Sequence, residues 1–356
     1  MNYKNIIQED LDSLIESYNF DFFDNQTIFI TGATGLIGFS IIMALLKLNN
    51  NTAKKIKIYA LVRDVEKAKN LYYGFDNDIN FIASDIRTVN LNNYKFDYII
   101  HAASQTSSQK FVLEPVETIE IAIKGTVNLL EYSKTHEVKG FIYLSSMEVY
   151  GNPTSDDKVF EDSSTTLNTM NVRSSYPESK RMCENLCKSY AYEYGVPAKV
   201  IRLTQTFGPG VKYNDKRVFA EFARCAIENK NIILKTKGET KRSYLYTFDA
   251  VAAIFIILEK GKIGEAYNAA NESTYCSIFD MANLVSKKIS NNKIKIIIDE
   301  NDDISKFGYA NTLKINLETN KLRSLGWSAK YCLEDMFIRM IEDMQNSKII
   351  QGNESN

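Results

Sequence analysis

The sequence predicts an α/β protein in which a doubly wound parallel sheet is followed by a smaller α+β lobe. Three observations predict it: short apolar runs alternate with longer helical stretches up to about residue 205, a glycine-rich turn follows the first run, and the alternation breaks down afterwards. The runs TIFIT (27–31), IKIYALV (56–62), INFIA (79–83), DYIIHAA (97–103), GFIYLSS (140–146) and AKVIRL (198–203) are rich in Ile, Val, Tyr and Phe, as buried strands are. Residues 35–48, 65–72, 116–135 and 177–194 carry helical periodicity between them. Ahead of the first strand, Ile6, Ile7, Leu11, Leu14, Ile15 and Tyr18 recur at helical spacing, giving an amphipathic helix that packs on the body of the protein. After Leu203 an FGPG turn opens segments of mixed order, with an apolar helix at 250–258 that returns to the first lobe and a last helix over 333–344. The expected organisation is a helical extension at 1–25, the sheet domain at 26–205 with return segments near 240–260, an interleaved second lobe at 206–346, and a frayed tail at 347–356.

Composition excludes several function classes. Among 356 residues, 43 basic side chains face 44 acidic ones, a net charge of −1 that offers no electrostatic footprint for nucleic acid. Two histidines leave little material for a metal site, and none is expected. Five cysteines without C-x-x-C spacing read as reduced thiols. The N-terminus lacks the basic start and apolar core of a signal peptide, and the apolar stretch at 250–258 is too short to span a bilayer. A cytoplasmic protein without membrane contact is therefore expected.

The first strand runs into TGATGLIG (31–38), a G-x-x-G-x-x-G loop that opens an apolar helix. Gly32 permits the tight turn, Gly35 lets backbone N–H groups approach a pyrophosphate at the helix N-terminus, and Gly38 allows close packing of helix on strand. Thr34, Leu36 and Ile37 lie on the same turn. Strand, loop and helix together make this a Rossmann-type site for NAD or NADP. At the end of the second strand Arg63 suits the 2′-phosphate of NADP, while Asp64 suits a ribose or caps the next helix. NAD is the expected cofactor, with NADP left open by Arg63. Asp85 and Ile86, after the third strand, suit an adenine edge and face, although an Asp there is also an ordinary turn residue.

The main chemical signal is RSSYPESKR (173–181). Pro177 fits the first turn of a helix, so Tyr176 and Lys180, four apart, share a face. A phenol with a pKa of about 10 needs neighbouring positive charge to act as a base near neutrality, and Lys180 supplies it. Ser145 and Ser146 end the fifth strand, where a hydroxyl can share the reacting oxygen with Tyr176. His101, inside an apolar strand end, reads as structural, and Cys183 and Cys187 as packing.

TGATGLIG, DYIIHAAS, YLSSMEVYG, YPESK and RLTQTFGPG, in this order, resemble the extended short-chain dehydrogenase/reductase superfamily, in its NAD-dependent nucleotide-sugar epimerase/dehydratase group, over residues 27–340. Within the group EVYGNP, NVRSSYPESKRMCENLC, TFGPGVKYNDKRVFAEF and KRSYLYTFDAV are most similar to UDP-glucuronate decarboxylases. The resemblance implies that Ser146, Tyr176 and Lys180 are the catalytic hydroxyl, base and lysine, and that Glu148 is a catalytic glutamate. It further sets Ala102, Ala103 and Ser104 beside the cofactor. Ser104, Ser146, Met147, Gln205, Arg217, Val218 and Arg242 fall around a nucleotide-sugar. It also implies a homodimer built through long helices beside the sheet. Three positions depart from the pattern. Met147 stands where dehydratases carry an acid and decarboxylases a serine, Gln205 where the group carries Asn, and Ala122 where it carries Asn. A thioether can neither donate a proton nor replace a serine hydroxyl, which counts against 4,6-dehydration and weakens decarboxylation. The implied activity is transient oxidation of a sugar hydroxyl, at carbon 4, to a ketone, followed by epimerisation or decarboxylation. Two alternatives stand beside it: a net NADP(H)-dependent dehydrogenase or ketoreductase of a nucleotide-linked sugar or polyol, and a non-catalytic NAD(P)-binding regulator.

Overall fold

The computed structural model describes residues 3–51, 55–299 and 312–353. All six expected strands form: β1 (Thr27–Thr31), β2 (Lys57–Val62), β3 (Ile79–Ala83), β4 (Tyr98–His101), β5 (Gly140–Ser146) and, after the short β6 (Lys158–Val159), β7 (Ala198–Leu203). The later strands are β8 (Gln205–Phe207), β9 (Ile232–Leu234), β10 (Lys241–Tyr246), β11 (Ala266–Ala269), β12 (Asn271–Ser277), β13 (Ile296–Ile298) and β14 (Lys314–Leu317). Seven of them make one parallel sheet in the order β11-β7-β5-β4-β1-β2-β3. The chain reverses direction across the sheet between β1 and β4, and the carboxyl ends of strands at such a switch point are where this Rossmann-like architecture places ligands.

The helices are α1 (Tyr3–Ser17), α2 (Leu36–Asn51), α3 (Val65–Leu71), α4 (Ser108–Leu113), α5 (Pro115–Thr135), α6 (Ser175–Tyr194), α7 (Val218–Glu228), α8 (Thr247–Lys260), α9 (Ile278–Leu284), α10 (Asn320–Arg323) and α11 (Leu333–Asn353). Local chemistry sets several ends: Pro115 opens α5, Asp64 caps α3, and Gly195 ends α6 in the left-handed region at φ 69°. One face of the sheet packs on α2 and α8, with α1 and α11 outside them, and the other on α5 and α6. Being covered on both sides explains why its strands read as continuous apolar runs.

Strand β11 joins the main sheet, beyond the return segments expected near 240–260. Its sequence, AYNA, has no strand signature. It pairs because Asn268, fully buried, donates to the Val159 carbonyl and accepts from the Tyr150 hydroxyl. A second sheet, β12-β10-β14-β6 with β8 on β10, draws β6 from ahead of α6. The last helix, expected to end near Met344, continues to Asn353, and residues 1–2, 52–54, 300–311 and 354–356 of the expected segments lie outside the described residues. Among the described residues no helix is long and apolar enough to cross a membrane.

The amphipathic reading of α1 holds in detail: Ile6, Ile7, Leu11 and Leu14 are buried. Asp10 is buried with them and is matched there by the Tyr246 hydroxyl at 2.5 Å, the Tyr331 hydroxyl at 3.1 Å and Arg339 at 2.8 Å. Asp249, in the first turn of α8 and 4% exposed, accepts the Lys330 and Tyr331 amides, and burial pushes its carboxyl up to about 7. Its ordinary value is 3.8, so the folded chain disfavours the ionised form; this residue's contribution to stability is full below the ordinary value and is lost as the pH rises through about 7. Asp249→Asn keeps an acceptor for those amides. It is expected to raise the urea midpoint at about pH 8 and leave it unchanged at about pH 4. Midpoints that follow wild type at both pH values would contradict that sign.

Candidate active site

The glycine loop leaves β1 and is shaped by contacts no side chain could survive. At Gly32 (φ +68°) a Cβ would lie 2.7 Å from the Ala102 carbonyl, and at Gly38 one would lie 2.2 Å from the Gly32 carbonyl oxygen. At Gly35 a Cβ would meet within 4 Å only that same oxygen, at 3.3 Å, so the space above the turn is open where α2 begins. A loop with an open cradle at a helix N-terminus fits a dinucleotide's pyrophosphate. Ala103 closes the other side, its amide donating to Thr31 Oγ1 at 3.0 Å.

That bond begins a buried chain. Thr31 Oγ1 meets His101 Nδ1 at 2.9 Å, His101 Nε2 meets Thr126 Oγ1 at 3.1 Å, Thr126 donates to Cys183 Sγ at 3.3 Å, and Cys183 donates to the Ala122 carbonyl at 3.3 Å. With the Ala103 amide feeding it, the chain runs one way: Thr31 donates to Nδ1 and Nε2–H donates to Thr126. The imidazole is then neutral, consistent with burial, helped by Lys180, pushing it down to about 3. His101 is structural, as its apolar surroundings predict, and the chain ties the glycine loop to α6 beside Lys180.

The structure brings Ser146, Tyr176, Lys180 and Glu148 together at the carboxyl end of β5. Ser146 caps a short turn, Met147–Tyr150, by accepting the Glu148 amide at 3.2 Å, and its hydroxyl lies near enough to Tyr176 to favour the phenolate. Lys180, 3% exposed, donates to the Leu144 carbonyl at 2.7 Å and stands 4.5 Å from the Tyr143 ring centre and 5.8 Å from that of Tyr176. Burial pushes Lys180 down to about 8, against Cys183, Glu184 and Cys187. Burial, then Glu148, pushes the Tyr176 phenol up; Ser146 and Arg173 pull it down. The Ser145 hydroxyl turns away to Glu184 at 2.5 Å, which leaves Ser146 as the hydroxyl facing the phenol.

Two neighbours were not legible from spacing. Arg173 grips Glu148 with both ends of its fork, at 3.0 and 3.2 Å, although 25 residues separate them. Phe111, on α4, stacks on Tyr176 with ring centres 4.2 Å apart and planes within 6°. Glu148 is thus an ion-pair partner within the constellation. Met147, 3% exposed, lies in an apolar cluster with Ile315 and Leu317 and accepts a hydrogen bond from Thr204.

The other expected residues are placed as follows. Arg63 is exposed at the end of β2, and Asp64 accepts the Lys67 amide at 3.0 Å as the cap of α3. Asp85 is held by Arg87 at 2.9 and 2.8 Å, which keeps its carboxyl down at about 2, and Ile86 is buried against Gly125. Ala102, Ala103 and Ser104 are half-buried after β4; Thr34 is exposed, and Leu36 and Ile37 half-buried, at the start of α2. Arg217 precedes Val218 at the start of α7 and pairs with Asp215 at 2.6 Å, so its guanidinium is already engaged. Gln205 and Arg242 stand on the paired strands β8 and β10, and Gln205 Oε1, Arg242 Nε and the Tyr244 hydroxyl are buried without a hydrogen-bond partner.

Comparison with known proteins agrees with this geometry. A family model described as the NAD dependent epimerase/dehydratase family matches residues 28–270. A dTDP-D-glucose 4,6-dehydratase of Dictyostelium discoideum is 30% identical over 279 residues, covering 75% of this chain and 62% of the relative; the chain spans less than two thirds of that protein. A UDP-glucuronic acid decarboxylase 1 of Xenopus tropicalis is 27% identical over 314 residues, 88% of this chain and 70% of the relative. Among solved structures, a UDP-glucose 4-epimerase of Thermotoga maritima superposes with a TM-score of 0.77 at 22% identity, over 90% of this chain and 99% of that one, and shares the fold.

The glycine contacts separate binding from folding. Gly35→Ala is expected to keep its melting temperature while weakening NAD binding by more than about tenfold in calorimetry, whereas Gly38→Ala, with no room for its methyl group, is expected to lower the melting temperature itself. Equal effects of the two on melting would contradict the assignment of Gly35 to the cradle.

Proposed function

The chain belongs to the NAD-dependent epimerase/dehydratase family, and from that premise we propose that it oxidises a hydroxyl of a nucleotide-activated sugar, at carbon 4, to a ketone and completes either epimerisation or decarboxylation. The observation that carries the reading is the Tyr176, Ser146 and Lys180 constellation at the strand end beside the glycine loop. The residues around Gly32, Gly35 and Gly38 hold the cofactor's pyrophosphate. When bound, NAD supplies a hydride acceptor and later returns the hydride. Tyr176 takes the proton of the sugar hydroxyl through its phenolic oxygen, Ser146 donates to the same sugar oxygen, and the Lys180 ammonium favours the phenolate. On return, Tyr176 gives the proton back to the new alkoxide.

Gln205, Arg242 and Tyr244 bring polar atoms without hydrogen-bond partners together on β8 and β10, which suits a polar ligand over the second sheet. Met147 supports epimerisation, which needs no acid at that position, over 4,6-dehydration and, less strongly, over decarboxylation: a buried thioether has neither a proton to give nor a serine's hydroxyl. Relatives of this chain include a 4,6-dehydratase and a UDP-glucuronic acid decarboxylase, and its fold is shared with a UDP-glucose 4-epimerase. Free thiols at all five cysteines suit a reducing cytoplasm.

The reading is tested by incubating purified protein with a panel of UDP-, CDP-, GDP- and dTDP-linked hexoses and uronates. One of them is expected to turn over without net accumulation of reduced nicotinamide. Unchanged mass with inverted stereochemistry identifies an epimerase and loss of carbon dioxide a decarboxylase. Tyr176→Phe should lower that turnover by at least about 10²-fold with NAD binding retained; no turnover of any sugar by wild type would sink the reading. The exposed apolar side chains of Leu113, Val116 and Met182, on α4, α5 and α6, support a homodimer through this face. Light scattering is expected to give about twice the 40.6 kDa chain mass, and Val116→Glu to halve it; a wild-type monomer would refute the dimer.

A further inference from the structure

We propose that Glu184 is a positioning residue for the Tyr176, Lys180 and Ser146 constellation, held by Arg202 and Ser145, and that it is the anion that keeps Lys180 in register and charged. The proposal rests on the sugar-oxidising reading for its kinetic readout alone.

Two successive residues of β5 each hold one residue of α6, and a third stands beside the same helix. The Leu144 carbonyl takes the Lys180 ammonium at 2.7 Å, the Ser145 hydroxyl donates to Glu184 Oε1 at 2.5 Å, and the Ser146 hydroxyl lies on the Tyr176 side, where it favours the phenolate. Tyr176, Lys180 and Glu184 follow one another at four-residue intervals and so form one stripe of the helix. The first two touch or flank the reacting atoms; the third sits one turn further, where it cannot. Its carboxylate is instead held from two neighbouring strands, by Ser145 and by Arg202. Arg202 lies opposite Ser145 in the β5–β7 register and reaches Glu184 with Nε at 3.1 Å to both oxygens and Nη2 at 2.7 Å. The far side of the guanidinium is occupied too: Nη1 donates to the Tyr150 hydroxyl at 2.8 Å and the Glu161 carbonyl at 2.7 Å, and Tyr150 donates on to Asn268 at 2.6 Å. The fork therefore cannot swing, and Glu184, 12% exposed against 14% for Arg202, cannot follow solvent. A shift of α6 along β5 would break the Ser145 bond and move Lys180 and Tyr176 together.

Charge points the same way. The titratable groups facing Lys180 are Tyr176, Cys183, Glu184 and Cys187 on its own helix, Tyr143 on β5 and His101 on β4. Burial holds both thiols and both phenols in their neutral forms and the imidazole uncharged. Glu184 is the one carboxylate among them, and so the group that offsets the cost of burying the ammonium.

The test is a titration of Lys180 by NMR in full-length protein carrying ¹³C-labelled lysine, assigned with Lys180→Met, run beside kcat and KM on the sugar identified above. Glu184→Gln keeps the shape, removes the charge and leaves Arg202 unopposed. It is expected to lower the Lys180 midpoint by about one pH unit or more and kcat by more than about tenfold with little change in KM. Glu184→Asp retains the charge, so the midpoint should stay while kcat falls, and Ser145→Ala, a small change that preserves packing, should lower kcat in the same way. An unmoved midpoint in Glu184→Gln overturns the proposal. If that variant does not fold, wild-type kcat in both Glu184→Asp and Ser145→Ala overturns it. A midpoint that moves as expected in a protein that turns over no nucleotide sugar would refute the proposed reaction and leave this inference standing.

Discussion

The fit of α6 against the carboxyl end of β5 is the contact on which the rest of the site depends. A parallel strand in the middle of a sheet can move very little, since both its edges are bonded, here to β4 and β7. The helix is bound to that fixed strand at Leu144 and Ser145, and the same helix carries Tyr176 and Lys180. Precision in the reacting groups is thus inherited from the sheet, while Phe111 and Arg173 approach from α4 and a short turn. The glycine loop takes its position from the same frame by another route, through Thr31, His101, Thr126 and Cys183. The glycine loop and the Tyr176–Lys180 pair are therefore both positioned by the carboxyl ends of central strands of one sheet.

Buried charge is handled differently in different parts of the molecule. Near the site it is paired, as in Glu184 with Arg202, and the pairing is geometric: removing one partner would strand the other in a medium of low polarity. Under the N-terminal helix, Asp10 has Arg339 and two tyrosines, yet burial still pushes its carboxyl up to about 6. Asp343, on the same α11 as Arg339, accepts the Gly210 amide at 2.8 Å and is also pushed up to about 6. Gly210 lies against Leu36 of the glycine-loop helix. The extension ahead of β1 is consequently part of the packing that reaches the cofactor loop.

Much of this was legible in the sequence because burial on two faces writes a continuous apolar run, and because helices and glycine turns impose fixed spacings. The six strands, the loop at Gly32, Gly35 and Gly38, and the pairing of Tyr176 with Lys180 all follow from such local rules. What was not legible depends on partners far apart in the chain. AYNA becomes β11 because Asn268 finds Tyr150 and Val159, more than 100 residues away. Glu148 could be chosen by its position but not its pairing with Arg173, and the role of Asp64 as a helix cap became visible only in its bond to the Lys67 amide. Glu184 was not singled out by the sequence, because its significance depends on Ser145 and Arg202 in three dimensions.

The electrostatic state of Tyr176 brings these strands of argument together. Burial and Glu148 oppose the phenolate; the Ser146 hydroxyl and Arg173 favour it. Since Arg173 also neutralises Glu148, one fork removes an obstacle and adds a favourable charge at once. Lys180 can contribute only while it remains an ammonium, and burial alone works against that. A site of this kind gains its base from the balance of several fixed charges, so its activity should respond more to the ionic partners of the tyrosine and lysine than to the apolar side chains that pack around them.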